Sequence, residues 1–446
     1  MNALLDLGIL SGPLVIAVYV LAAAAFALLV VRRPGPRWTR RAWLVTAAVA
    51  AVVGALLGLG LTWLLSDRLD LFGAVLTPVV RTWIAVGFAA IAVAAASLWR
   101  PRLLRAVAAS LANVGLAVTT AMSINIDFGQ YPTVRSALGL SAFAGNALPS
   151  FGPDGSATGS ASDGGADSTA ALADWTPPAG MPAQGSVSSV TIPATASGFK
   201  ARPAVVYLPP AALTANPPKL PVLIMMSGQP GTPDDPLTTD HLQQSLDAYA
   251  AAHKGLAPIV VSPDQLTDPA VNPMCVDSPI GNSATYLTVD VPNWIRTNLP
   301  VLPSPASWGI GGLSQGGTCS IQLGAAHPEL FSAIIDASGE EFPTLGDEQK
   351  TIDQGFGGDA AAYAAAHPAA NMAAKAPYAG TIAVFGVGSA DDAFKPGVQR
   401  LYADAKAAGM DATYIEVPGS AHDATTWSSV FQQGLGIVAD HWGLDR

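Results

Sequence analysis

Charged side chains are scarce in this 446-residue chain: Asp, Glu, Lys and Arg make up 12% of it, against 50% hydrophobic residues. Together with a mean hydropathy of +0.37, that shortage excludes an ordinary soluble protein and a disordered polar chain alike. Part of the sequence therefore belongs in a membrane. Cysteine is nearly missing as well. Cys275 and Cys319 are too few for a four-ligand zinc site, and no H-E-x-x-H pair or Gly-rich phosphate loop occurs, so neither a metal nor another cofactor is expected. In an oxidising compartment an isolated pair reads as a disulfide, here joining positions 44 apart and holding the loop around Cys275.

Lysine is absent from the first part of the chain, where eleven Arg stand against four Asp up to residue 135, a balance of +7. The total of −10 leaves −17 on residues 136–446. That acidic part is no nucleic-acid binder; it reads as a solvated acidic surface with a mild bias towards cationic substrates.

Four apolar stretches lie near 12–31, 43–65, 82–99 and 106–124, each close to the roughly 20 residues that cross a hydrocarbon core. The first, GPLVIAVYVLAAAAFALLVV, follows no basic segment and has three more spans behind it, so it is not read as a cleaved signal peptide. Arg residues crowd the loops RRPGPRWTRR and RPRLLR, which places those loops in the cytoplasm. Four crossings then put the N-terminus and everything beyond about residue 125 outside. The spans carry none of the ionisable residues of an ion path, which weighs against a transporter. Residues 1–140 are thus the expected transmembrane region, and the Gly/Ser/Pro/Asp-rich stretch 141–183 a flexible linker.

From residue 184 short β-branched runs alternate with helical ones. Strands are expected at 186–192, 204–208, 222–227, 258–262, 308–312, 332–337, 381–386 and 413–417, with helices near 238–252, 285–298, 316–326, 394–408 and 424–440. Such alternation implies βαβ units and a mostly parallel sheet with helices on both faces. The expected class is α/β, an α/β-hydrolase fold over 184–446 behind about four transmembrane helices.

Within that domain GGLSQGG follows a strand and opens a helix, the setting in which G-x-S-x-G marks a nucleophile. Glycines around Ser314 permit the sharp turn, and the helix start offers free N–H groups to a developing oxyanion. A serine needs a base and an orienting acid, which follow it in the order acid, then His, in this fold. Of the six His, only His422 lies in a loop after the last strand and before the last helix. In GSADDAF, beyond the preceding strand, Asp391 is preferred to Asp392 as the acid, and Asp423 reads as a loop or cap residue. The loop Ser227-Gly228-Gln229-Pro230-Gly231 supplies the second oxyanion donor; Pro230 has no N–H, so the backbone amides of Gln229 and Gln315 are the expected pair.

Taken together, SGQPG, GGLSQGG with HPELFSAIIDASG, GSADDAF and GSAHDATTW resemble the esterase D and mycolyltransferase branch of the α/β-hydrolases over roughly 200–440. The resemblance implies that Ser314, Asp391 and His422 act as nucleophile, acid and base. SGQPG departs from the His-Gly or Asp-Gly of many relatives, and the acid varies in the branch between Asp and Glu. The expected function is a membrane-anchored extracytoplasmic serine esterase whose partner is an ester or lipid near the outer leaflet, including aminoacyl esters of phospholipid headgroups. The competing readings are an acyltransferase that passes the acyl group to an envelope alcohol, and a catalytically silent binding domain on a membrane anchor.

Overall fold

The computed structural model describes residues 2–31, 39–69, 76–98, 103–151 and 172–445, and it divides into two compact units, Met1–Leu140 and Ser141–Arg446. In the first unit, helices run over Pro13–Val30 (α1), Arg40–Thr62 (α2, continued by a wider turn over Trp63–Arg68), Pro78–Ser97 (α3) and Leu103–Phe128 (α4). Thr39 and Thr77 start α2 and α3 by accepting the N–H of Ala42 and Val80, and Pro78 occupies a first-turn position where no N–H is needed. All four helices are long and apolar enough to cross a membrane. Small residues set the α2–α3 contact: a Cβ on Gly54 would strike the Phe88 carbonyl, and one on Gly58 would stand 3.1 Å from the Ile84 carbonyl. Outward, Leu21, Leu28, Leu56, Leu57 and Leu111 are each more than 60% exposed, a surface suited to lipid rather than water. Most of the first arginine-rich loop, residues 32–38, and residues 99–102 of the second lie outside the described residues.

The second unit is built on an eight-stranded sheet: Ser186–Val190 (β1), Ala204–Leu208 (β2), Val222–Met226 (β3), Ile259–Ser262 (β4), Trp308–Leu313 (β5), Ala333–Ala337 (β6), Ile382–Gly388 (β7) and Asp411–Val417 (β8). Their spatial order is β1-β2-β4-β3-β5-β6-β7-β8; β1–β2 and β2–β4 are antiparallel and every other pair is parallel. The α/β-hydrolase class expected from the sequence is the one observed, and each strand falls within a few residues of its expected run. VLIMM in β3 and WGIGGL in β5 are buried at every position because helices cover both faces. Those helices include Leu242–Ala252 (α5), Val291–Asn298 (α6), Gln315–Ala326 (α7), Glu348–Gly355 (α8), Ala360–Ala366 (α9), Pro368–Lys375 (α10), Lys395–Ala407 (α11) and Ala424–His441 (α12). Helices α8 to α10 fill a stretch for which the sequence reading named no element. Parallel pairing directs the carboxyl ends of β3, β5, β6, β7 and β8 to one edge, where their loops meet.

The stretch expected to be a free linker is in part docked on this unit. Ser141 Oγ and the Ala142 N–H donate to the Asp234 carboxylate at 2.6–3.0 Å, and the Ser189 N–H on edge strand β1 donates to the Asn146 carbonyl at 3.3 Å. Leu172 is buried in the core, and the Trp175 indole N–H reaches the Lys254 carbonyl at 3.1 Å. An exposed sheet edge offers unpaired backbone groups, and the segment before β1 uses them. The middle of the stretch, 152–171, lies outside the described residues.

Candidate active site

Ser314 follows directly on strand β5, and its backbone sits at φ 49° and ψ −118°, a region that L-residues rarely occupy. The glycines around it are required sterically. A Cβ on Gly312 would collide with the backbone of Gly316, and one on Gly316 with the carbonyls of Met226 and Ser227 at the end of β3. Ser314 therefore stands on a tight turn whose N–H donates to the Ala337 carbonyl of β6 at 2.8 Å.

His422 Nε2 lies 2.9 Å from Ser314 Oγ, and its Nδ1 lies 2.9 Å from Asp391 Oδ2. An Nδ1–H donating to the carboxylate leaves Nε2 as an acceptor for the serine hydroxyl. Asp391 is buried at 4% exposure, and the turn after β7 that presents it is closed by its own N–H on the Gly388 carbonyl at 3.1 Å. The imidazole is fixed by rings as well: Phe394 stacks on it with centroids 3.9 Å apart, and Trp427 meets it edge-on at 5.4 Å.

The alternatives weighed for the acid fall elsewhere. Asp392 is exposed, whereas Asp423 caps α12 by accepting the N–H groups of Thr425 and Thr426. Three of the other histidines are held by local neighbours and two are exposed. His253 stacks on Tyr249, His327 pairs with Glu329 at 2.8 Å, and His367 stacks on Phe342; His241 and His441 sit at the ends of α5 and α12.

Both expected oxyanion segments border Ser314. Gly228 runs against it, since a Cβ built there would lie 3.3 Å from the Ser314 Cβ, and Gln229 follows half-buried. Gln315 is the first residue of α7, so its N–H belongs to the helix's unsatisfied set. The sequence reading gave the Gln315 side chain no part, yet that side chain is buried and fully engaged. Its Nε2 donates to Asn272 Oδ1 at 3.0 Å and touches Cys319 Sγ at 3.2 Å; its Oε1 accepts from Gln265 Nε2 at 3.0 Å. Cys275 and Cys319 form the disulfide, with Cα atoms 5.5 Å apart. Gln265 Nε2 also donates to the Ser227 carbonyl at 2.6 Å, so one amide bridges both segments. Gln265 was missed because PDQLT matches no motif; only the folded loops show that it stands between two distant parts of the chain.

The fold and the chemistry available at this edge define a serine hydrolase or a related acyltransferase of the α/β-hydrolase class. More narrowly, the chain belongs to the family described as "Putative esterase", whose model matches residues 200–437. An uncharacterized protein of Corynebacterium glutamicum is 39% identical over 253 residues, covering 56% of this chain and 59% of the relative, so the chain spans less than two thirds of that protein's length. Among solved structures, a ferulic acid esterase aligns at 18% identity and a TM-score of 0.47, covering 58% of this chain and 99% of its own. An S-formylglutathione hydrolase from Agrobacterium tumefaciens aligns at 18% and 0.47, covering 58% and 95%. MPT51 of Mycobacterium tuberculosis aligns at 17% and 0.43, covering 58% and 99%.

Proposed function

We propose that this protein is a membrane-anchored esterase whose second unit lies outside the cytoplasmic membrane, with Ser314 as nucleophile, His422 as general base and Asp391 as the acid that orients it. One observation carries the reading: an unbroken chain of contacts from Ser314 Oγ through both nitrogens of His422 to a buried carboxylate, each 2.9 Å long. In the first step His422 takes the hydroxyl proton as Oγ adds to an ester carbonyl. The oxyanion lies against the backbone N–H groups of Gln229 and Gln315, and the partial positive charge at the start of α7 adds to their pull. Protonated His422 then hands its proton to the leaving alcohol. Water, activated by the same imidazole, frees the acyl group and restores the serine.

The four apolar helices and the acidic charge of residues 136–446 support an ester of the cell envelope as substrate, with an aminoacyl ester on a lipid headgroup favoured by charge. An acceptor alcohol in place of water would make the same residues a transferase. Measuring free acid against transferred ester with an alcohol present separates the two. Ser314→Ala is expected to lower turnover of a short acyl ester on the order of 10^4-fold with the fold retained, and unchanged turnover would refute the assignment.

A further inference from the structure

The chain enters the second unit at the loop that carries Gln229. Leu140 closes the first unit, and the two residues after it, Ser141 and Ala142, are taken up by one buried side chain, Asp234. Ser141 Oγ donates to that carboxylate at 2.9 Å and the Ala142 N–H at 2.6 Å. Ser141 Oγ in turn accepts the Phe143 N–H at 3.1 Å, which turns the segment back onto the domain, where Phe143 packs against the core.

From Asp234 the hold passes back towards Gln229 through a short, stiff stretch of chain. Thr232 and Asp235 close a turn on each other: the Thr232 N–H and Oγ1 donate to the Asp235 carboxylate at 2.9 and 2.7 Å, and the Asp235 N–H donates to the Thr232 carbonyl at 3.1 Å. Asp234 lies inside that turn, so a shift of Asp234 moves the turn as a whole. Gly231 is folded onto Gly228, whose carbonyl would stand 2.3 Å from a Cβ on Gly231. Pro230, Pro233 and Pro236 each fix a backbone φ, which leaves little slack between Asp234 and Gln229. The Arg202 guanidinium, paired with buried Asp264 at 2.7 Å, also donates to the Gly231 carbonyl at 3.0 Å. On the upstream side, Gln265 holds the Ser227 carbonyl at 2.6 Å. Gln229 is thus fixed from both ends, and the downstream end is tied to residues 141 and 142.

We propose that Asp234 is a positioning residue of the active site: by taking up Ser141 and Ala142 it sets the downstream end of the Gln229 loop, so the segment at the entry to this unit serves the transition state as well as the fold. The assignment rests on the esterase reading above, with the Gln229 N–H as an oxyanion donor. A misaimed donor costs little while the ester carbonyl is neutral and much once its oxygen is charged, so the effect falls on kcat at nearly constant KM.

The test uses the full chain in detergent with a short acyl ester. Asp234→Ala is expected to lower kcat by about 10–100-fold with KM within about threefold. Asp234→Asn keeps an oxygen for the Ala142 N–H and gains an NH2 that can donate to Ser141 Oγ, so its kcat should stay within about threefold of wild type. Ser141→Ala removes one hydroxyl from a half-buried position, a milder change for the fold, and should lower kcat by about 3–10-fold. Asn146→Ala loosens the same segment elsewhere: it removes the 3.1 Å contact with the Val187 carbonyl on β1, three strands away from β5. That variant should lower the melting temperature and leave kcat within about twofold.

Unchanged kcat in Asp234→Ala and Ser141→Ala, a loss confined to KM, a loss in Asp234→Asn equal to that in Asp234→Ala, or an equal loss in Asn146→Ala overturns the proposal. In each of those cases Ser314-dependent turnover persists and the esterase stands. Absence of Ser314-dependent turnover in the wild type overturns both.

Discussion

Gln265 is one buried amide with two obligations. Its Nε2 donates to the Ser227 carbonyl and to Gln315 Oε1, and so fixes the spacing between the loop that leads to Gln229 and the start of α7. If the oxyanion sits between those segments, their spacing matters to the transition state more than to the ground state. Gln265→Leu removes both donations at similar volume. It is expected to lower kcat by about 10–100-fold while KM stays within about threefold, somewhat less than the loss of a donor itself. Steady-state kinetics on a short ester checks this, and a change confined to KM would refute it. The contrast with Ser314, Asp391 and His422 explains what the sequence disclosed at this scale. Those three follow a fixed chain order around strand ends, and order can be read without coordinates. Gln265 acts through where its loop comes to rest. No spacing in PDQLT encodes that.

Among the elements, the joint between β6 and α7 carries a pH dependence. Asp336, on β6, is fully buried; its Oδ1 accepts the Gly339 N–H at 2.8 Å, and burial pushes its carboxyl up to about 7. In the unfolded chain the same proton leaves near pH 4, so between roughly 4 and 7 the native state holds a proton that the unfolded state has lost. The contribution of this group is full below about pH 4 and declines as pH rises towards 7, by up to about 1.4 kcal/mol per pH unit. Asp235, raised to about 6 by burial, acts in the same direction. Asp336→Asn keeps the oxygen that accepts from Gly339 and is expected to flatten the fall of melting temperature across that range. Parallel curves for variant and wild type would refute it. Strands such as β3 were legible because a run like VLIMM, buried on both faces, is apolar throughout. Helices α8 to α10 were not. Over α9 and α10, AAAYAAAHPAANMAAK is so rich in alanine that no apolar stripe of helical period stands out, and EQKTIDQG of α8 has Ile352 as its one large apolar residue.

Across the whole chain, composition marked an apolar region, a linker and a folded domain, whereas the structure divides into two units at Leu140, twelve residues beyond the end of α4. The error of the sequence reading lay in treating polar, Gly-rich sequence as wholly free. Residues 141–151 donate a hydroxyl and a backbone N–H to Asp234, offer backbone carbonyls that accept from β1, and pack Phe143, Leu148 and Phe151 against the core. A fragment 184–446 is therefore expected to be less stable than 141–446 by about 2–4 kcal/mol, counting about 1 kcal/mol for each lost hydrogen bond. Denaturant titration of the two fragments decides this, and equal midpoints would refute it. The Cys275–Cys319 link has a consequence of another kind. Gln315 rests against its sulfurs, so the brace beside the start of α7 forms as two thiols lose their hydrogens to an oxidant. A chain still among reducing thiols has no such brace beside its serine. Oxidation of that pair ties the loop around Cys275 to the second turn of the helix that begins beside Ser314.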